Sequence, residues 1–497
     1  MPNGLLRMIV PAGSRLTPRL AERAYMTGPD QIPWVCRTRL NDGELTLERH
    51  VTDSGKFHIP WPVAGHGEVV LATATLMERE RPYQLMVELA RGKINQVRNQ
   101  IADWQSIGLV VPGKVEATLH KALKHFAKAA TSQSDVAQAA EWAEKAIVSA
   151  LDVADLLVAS YIEQALAARQ RHSTRLPLMF GSVLPPGEPE APLDGQFLRT
   201  FNACISPLVW REVEATEGSY RWEAFDRQLE WCARHGLAVC GGPLLRLDAL
   251  GLPDWLYLWE GDFNNIQSFA SDYVEAVVSR YRGKLQAWHC ASRVNVGDGM
   301  SLSEEQKLRL AVRAIEIVRD IDPNTPLIVR FDQPWAEYMS RTTPDLSPLH
   351  FADALVRAGL QLSGIGLEIN LGYYPGGSSP RDRLEFSRLL DLWSCLGVPL
   401  QLLLTVPSGQ QAPNVGRGKP APLADAFPGG WSPENQAAWI KHYLPLFFAK
   451  PAVQGIFWNQ LSDAEPSEFP FGGLVDGSGA LKPSFAALAV LRKKYLD

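Results

Sequence analysis

"EAFDRQLEWCARHGLAVCGGPLLRL" (residues 223–247) reads as an amphipathic helix that runs directly into a short apolar strand. Its first half mixes apolar and charged residues at helical spacing, and its second half is a short apolar run. The same unit recurs along the chain. Apolar runs stand at "LPLMFGSVLPP" (176–186), "FNACISPLVW" (201–210), "LAVCGGPLLRL" (237–247), "LQAWHCASRVN" (285–295) and "TPLIVRFDQ" (325–333). Three more follow, "GIGLEIN" (364–370), "PLQLLLTVPSG" (399–409) and "QGIFWNQLSD" (454–463). Amphipathic segments such as "SEEQKLRLAVRAIEIVRDID" (303–322) separate most of them. Eight strands recurring every ~30–45 residues predict an α/β fold, a (β/α)8 TIM barrel over 173–497. Function in such a barrel sits at the C-terminal strand ends. That rule directs attention to Arg246, Asp248, Arg293, Asn295, Arg330, Asp332, Glu368, Asn370, Thr405, Trp458 and Asp463.

Upstream the pattern changes twice. Residues 1–82 hold short β-rich runs ("LLRMIVPA", "WVCRTRL", "ELTLERH", "KFHIPWPV", "EVVLATATLM") between Asn-Asp-Gly, Ser-Gly and Gly-His-Gly turns. They predict a small β-sandwich-like domain, either a structural cap or an accessory carbohydrate-binding module. Residues 83–172 shift to a helical period. Met86, Ala90, Ile94, Val97, Ile101 and Trp104 mark a first helix, broken by "VVPGK"; a second covers 114–131. A third starts at the Ser134-Asp135 cap and carries an apolar stripe from Val136 to Ala165. The composition shift at "STRL" (173–176) predicts that residues 1–172 and the barrel have separate cores.

Composition narrows the function classes. The 497 residues are 46% hydrophobic and 21% charged, which suits large packed cores. A net charge of −5 without a basic stripe argues against a nucleic-acid partner. The six cysteines form no C-x-x-C pattern, so neither a disulfide framework nor a metal site is expected, and no cofactor motif stands out. The N-terminal residues lack a leader pattern, and no run approaches the ~20 apolar residues of a membrane span. A soluble, cytoplasmic chain without a membrane partner is the expectation. The 15 tryptophans serve either core filling or sugar stacking. Oligomeric state is not legible.

Two long stretches carry a family likeness. "EATEGSYRWEAFDRQLEWCARHGLAVCGGPLL" (214–245), followed by "LPDWL" (252–256), is the first. "ENQAAWIKHYLPLFFAKPAVQGIFWNQLSDAEPSEFPFGGLVDGSGALKPSFAAL" (434–488) is the second. In this order they resemble glycoside hydrolase family 10, the retaining endo-1,4-β-xylanase-type barrels, over about 180–495. The resemblance implies two catalytic glutamates, an acid/base closing strand four and a nucleophile on strand seven. Here those places hold Arg293 and Leu404, while Pro243 and Asp248 stand at family histidines and Ile205-Ser206 at a family Glu-Asn. Retaining cleavage needs two carboxyl groups ~5–5.5 Å apart, one to protonate and one to attack. Leucine cannot attack, and arginine stays charged near neutral pH.

What remains is polar but different. Period two puts Glu368 and Asn370 on one side of strand six, where the family has cleft-facing residues, and Asp332 matches a family Asp on strand five. Arg246, Arg293 and Arg330 end strands three, four and five. Buried charges must be paired, so these arginines are expected to pair with Glu368, Asp332 and Asp248. Guanidinium forks also suit carboxylates, and a uronate is one ligand they would accept. Tyr373-Tyr374, Trp288, Trp335, Trp458 and the polar Gln460 complete the candidate ligand-binding set. Two readings follow: a protein that binds an oligo- or polysaccharide without retaining hydrolysis, or a hydrolase with relocated carboxylates, Glu368 with Asp332 or Asp463. The loops "GYYPGGSSPRD" (372–382) and 406–436 are expected over the barrel mouth.

Overall fold

A computed structural model describes residues 4–171, 175–185, 187, 189, 193–342, 346–410, 420–424, 426–464 and 468–497. Eight parallel strands close on one another. In chain order they are Met179–Val183, Ala203–Ser206, Ala238–Gly241, Ala287–Ser292, Leu327–Asp332, Gly364–Asn370, Leu400–Thr405 and Val453–Trp458. The first pairs with the eighth, and the third meets the fourth through Cys240–Ala287 and Gly241–Trp288, which closes the ring. Helices such as Glu223–His235, Glu304–Ile321 and Pro433–Ala449 cover the outside. The (β/α)8 barrel expected from the repeating unit is therefore present.

Alternation along the strands decides what each residue faces. Ala203, Ile205, Cys240, Ala287, Ile328, Leu403 and Phe457 form one cluster inside the ring. Their strand neighbours, among them Leu402, Leu404, Ile456 and Trp458, pack into the larger cluster shared with the helices. Leu404 and Trp458 thus point away from the barrel axis. The residue of strand seven in register with cleft-facing Asn370 is Thr405. Leu404 as a cleft position is corrected on this ground, and so is Trp458 as a stacking face: a period-two strand turns every second side chain outward.

Residues 4–84 build two four-stranded sheets. One contains Gly4–Ile9, Cys36–Asn41, Glu44–Arg49 and Tyr83–Gln84; the other contains Tyr25–Thr27, Pro33–Trp34, Gly55–Val63 and Gly67–Leu76. Helices Leu85–Ser106, Gly113–Thr131 and Val136–Gln170 follow. The last of these belongs to two cores. Ala139, Ala143, Ile147 and Leu151 pack with the β sheets, while Val153, Leu157, Val158, Ile162 and Leu166 pack with the barrel. The expected 172/173 boundary falls at residues 172–174, outside the described ones.

The segment after strand six divides: Tyr373 meets Phe469 and Pro470 of the loop after strand eight, and residues 379–382 turn the other way and anchor the N-terminal sheets. Val70 donates its N–H to Pro380 O at 3.0 Å, and Arg23 reaches Ser379 Oγ at 2.9 Å. Arg381 donates to Tyr25 OH at 2.8 Å, and buried Lys93 pairs with Asp382 at 2.7 Å. In the second expected lid, 406–436, residues 411–419 and 425 lie outside the described ones. The six cysteines are free thiols. Among the described residues no helix is long and apolar enough to cross a membrane, and no group of three or more His, Cys, Asp or Glu is placed to hold a metal ion.

Candidate functional site

A pocket of about 230 Å³ opens at the C-terminal ends of the strands. Arg246, Ser292, Arg293, Arg330, Glu368, Asn459 and Gln460 line it from the barrel, and Glu468 and Phe469 close it from the loop after strand eight. Each arginine is placed by its strand. Leu245–Arg246 continues strand three and pairs with strand four, with Arg246 opposite Ser292. A β-bulge between His289 and Ala291 re-aims the end of strand four. Arg293 follows at once, with φ of 55°. A non-glycine residue there costs roughly 1–2 kcal/mol, so its surroundings must hold it.

Four carboxylates do so. Arg293 lies 2.9 Å from Asp248, 2.5 Å from Glu468, 3.6 Å from Glu368 and 3.7 Å from Asp332. Arg246 bridges Asp248 at 2.7 Å and Glu468 at 2.8 Å. Arg330 sits deepest, 3.6 Å from Glu368, and donates from Nε to His289 Nδ1. Because an arginine only donates, His289 must present a lone pair at Nδ1. Burial, then the Arg330 charge, holds its pKa well below the ordinary imidazole value, so it is neutral.

The electrostatics follow from burial and proximity. Burial opposes the charge of Arg293, but Glu468, Asp332, Glu368 and Asp248 outweigh it and raise its pKa. Burial pushes Arg330 down to about 10, only partly offset by Glu368, and leaves it protonated at neutral pH. Burial also opposes ionisation of Glu468 and Asp248, yet the guanidiniums of Arg293 and Arg246 hold both below the ordinary carboxylate range. Asp332 behaves oppositely. Burial and the neighbouring Glu368 push it up to about 7 despite Arg293.

The remaining expected residues divide by role. Asn370 Nδ2 donates to Asp332 Oδ1 at 3.1 Å, and Asn295 Nδ2 donates to the Asp332 carbonyl at 2.8 Å. Both therefore brace strand five. Gln460 donates to the Phe469 carbonyl at 3.0 Å and accepts its N–H at 3.1 Å, which fixes the loop over the pocket. Asp463 stands apart from the arginines, bound by Lys482 and by the Gly473 N–H at 2.6 Å. Tyr373 is buried, with its hydroxyl on Pro470 O at 2.9 Å. Trp288 donates to Asp322 at 2.9 Å, and Trp335 lies between Arg381 and Phe386. None of these aromatic rings lines the pocket; Phe225 and Phe469 do.

Glu468, Glu212, Asn459 and Phe469 line the pocket and were missed by sequence reasoning. Glu468 lies in "SEFPFGG" (467–473), a loop whose position no periodic pattern reveals. Glu468 is one of three carboxylates, with Asp463 and Glu465, that closely follow the last strand, and nothing in the sequence singles it out. Glu212, on the short helix Trp210–Val213, lines the rim, where burial raises its pKa.

The profile described as Glycosyl hydrolase family 10 matches residues 199–299. Endo-1,4-beta-xylanase 3 of Hypocrea jecorina is 26% identical over 132 residues, 24% of this chain and 35% of that xylanase. The match thus spans little more than a third of that relative's length. Endo-1,4-beta-xylanase B of Thermotoga neapolitana is 22% identical over 269 residues, 52% of this chain and 70% of the xylanase. The crystal structure of native xylanase 10B from Thermotoga maritima superposes with a TM-score of 0.50 at 16% identity, covering 65% of this chain and 98% of that one. The barrel has the fold of that xylanase.

Proposed function

We propose that the mouth of this family 10-like barrel binds an oligo- or polysaccharide and does not cleave it by retaining double displacement. One observation carries the reading: Arg293 stands among Asp248, Asp332, Glu368 and Glu468 and pairs with all four. A nucleophilic carboxylate must be free to attack the anomeric carbon, and a second carboxyl must hand its proton to the leaving oxygen. Glu368 and Glu468 line the pocket, but guanidiniums hold both. Asp332 is 1% exposed and does not line the pocket. Among the described residues Glu212 faces the pocket without an ion-pair partner, and no second free carboxylate opposes it there. Glycan recognition then rests on Ser292, Asn459, Gln460, Glu212 and the Phe469 ring rather than on tryptophan stacking.

Three arginines against four carboxylates leave the mouth without surplus positive charge. A uronate would bind by displacing Glu468 from Arg246 and Arg293, whereas a neutral chain needs no such exchange. Titrating the protein with xylohexaose and with a glucuronate-bearing xylo-oligosaccharide separates the two.

A hydrolase with relocated carboxylates is the second reading. The raised pKa of Asp332, opposite Glu368 on the neighbouring strand, favours it. Asp463 has no part in it, because Lys482 holds its carboxylate. Glu368→Gln discriminates. As an anchor for Arg293 and Arg330, its loss costs roughly 3–5 kcal/mol of stability, the range for breaking a buried pair. As a reactive group, its loss leaves the denaturation midpoint unchanged and abolishes turnover of xylan or an aryl β-xylobioside. The first result is expected; the second would restore an enzyme.

A further inference from the structure

A second cavity, of about 220 Å³, lies far from the barrel mouth. It forms where four elements meet: the strands Gly55–Val63 and Gly67–Leu76, the helix Leu85–Ser106 and the barrel helix Arg383–Ser394. Gly92 makes the junction tight, since a Cβ there would sit 1.9 Å from the Ala72 carbonyl oxygen.

The charged groups facing this cavity are Lys56, His58, Lys93, Glu385 and Arg388. Most are committed. Lys93 holds Asp382 at 2.7 Å and Gln96 at 2.6 Å. Glu385 accepts from the Gln96 amide and lies 3.9 Å from Arg388 Nε. His58 stacks on Tyr25 and meets Thr27 Oγ1 at 2.9 Å; burial, with Arg381 and Lys56, keeps it neutral. Lys56 is different. It is half-buried, and among the described residues its ammonium has neither a hydrogen bond nor an ion pair. Burial and then the like charge of Arg388 lower its pKa, against a smaller opposing pull from Glu385. Asn95, Asn99 and Thr75 also line the cavity, and among the described residues their side chains make no hydrogen bond.

Among the described residues Glu385 is the one carboxylate lining the cavity and is shared with Gln96 and Arg388, so the partly desolvated Lys56 ammonium gains from a further anion. We propose that this cavity binds a small molecule through an oxyanion, phosphate or carboxylate, seated between Lys56 and Arg388, with its hydroxyls on Asn95, Asn99 and Thr75. The site bridges the N-terminal sheets and the barrel, so occupancy stabilises their junction by mass action. It does not depend on the reading of the barrel mouth.

The test is thermal unfolding of the full chain in potassium phosphate, in potassium glucuronate and in potassium chloride at matched ionic strength. At least one oxyanion should raise the wild-type midpoint by roughly 2 °C or more over chloride. A phosphate response alone assigns a phosphate ligand, and a glucuronate response assigns a sugar carboxylate. Lys56→Met should abolish the rise while unfolding in chloride at or above the wild-type temperature, because it removes an unpaired charge. Lys56→Arg should keep the rise. No rise with either anion, a rise that survives Lys56→Met with Arg388→Met, or a Lys56→Met protein destabilised in chloride would each overturn the proposal.

Discussion

Asp332 and Glu368 occupy equivalent positions on adjacent strands, yet their environments differ. Glu368 meets two guanidiniums, Arg293 and Arg330, whereas Asp332 meets Arg293 alone, together with Asn370 and the Gln333 N–H. With its folded pKa raised to about 7, Asp332 binds its proton more tightly in the native state than in the unfolded chain, where an aspartate titrates near ~3.9. Its contribution to stability is therefore full below about pH 4 and is lost as pH rises through about 7. Asp332→Asn keeps an oxygen for Asn370 and cannot ionise. The variant should show a flatter dependence of midpoint on pH between 4 and 7, and a higher midpoint than wild type at pH 8. Equal slopes for the two proteins would mean Asp332 titrates normally. The arginines and Glu368 were legible because strand periodicity and the barrel rule converge on them. The strand-end rule named Thr405, whereas the family register pointed to Leu404, because an apolar run gives no alternation to set that register.

At the scale of elements, the eight barrel strands were readable from apolar runs at regular spacing, and the long helix from the Asp135 cap, whose carboxylate accepts the Gln138 N–H at 3.0 Å. The strands Tyr25–Thr27 and Pro33–Trp34 were not, being three and two residues long and held by their neighbours rather than by local preference. Gly92 shows packing overriding propensity. In an exposed helix, Gly→Ala gains roughly 1 kcal/mol. Here the new methyl would meet the backbone of Ala72 and Thr73, at 1.9 and 2.6 Å. Overpacking costs typically 1–3 kcal/mol, so Gly92→Ala should lower stability despite its better helix propensity. A denaturation midpoint above wild type would show that the helix can shift off the sheet.

For the whole molecule, the sequence suggested separate cores, and the helix Val136–Gln170 explains why its stripe could not decide the matter: one continuous face serves both clusters. Removing residues 1–171 would strip Val153, Leu157, Val158, Ile162 and Leu166 from the barrel. The remaining chain should expose that apolar strip, bind a hydrophobic dye and aggregate, while the full chain does not. A monomeric, dye-silent barrel would show that the helix is dispensable. The central claim concerns the mouth, where a glycan is held but not cleaved by double displacement. Gel filtration of the full chain with a stoichiometric amount of xylohexaose, followed by sugar analysis of the protein peak, tests it most directly. Intact hexaose should elute with the protein, with no shorter sugar in any fraction; xylobiose or xylotriose among the products, or hexaose that does not travel with the protein, would overturn the binding reading.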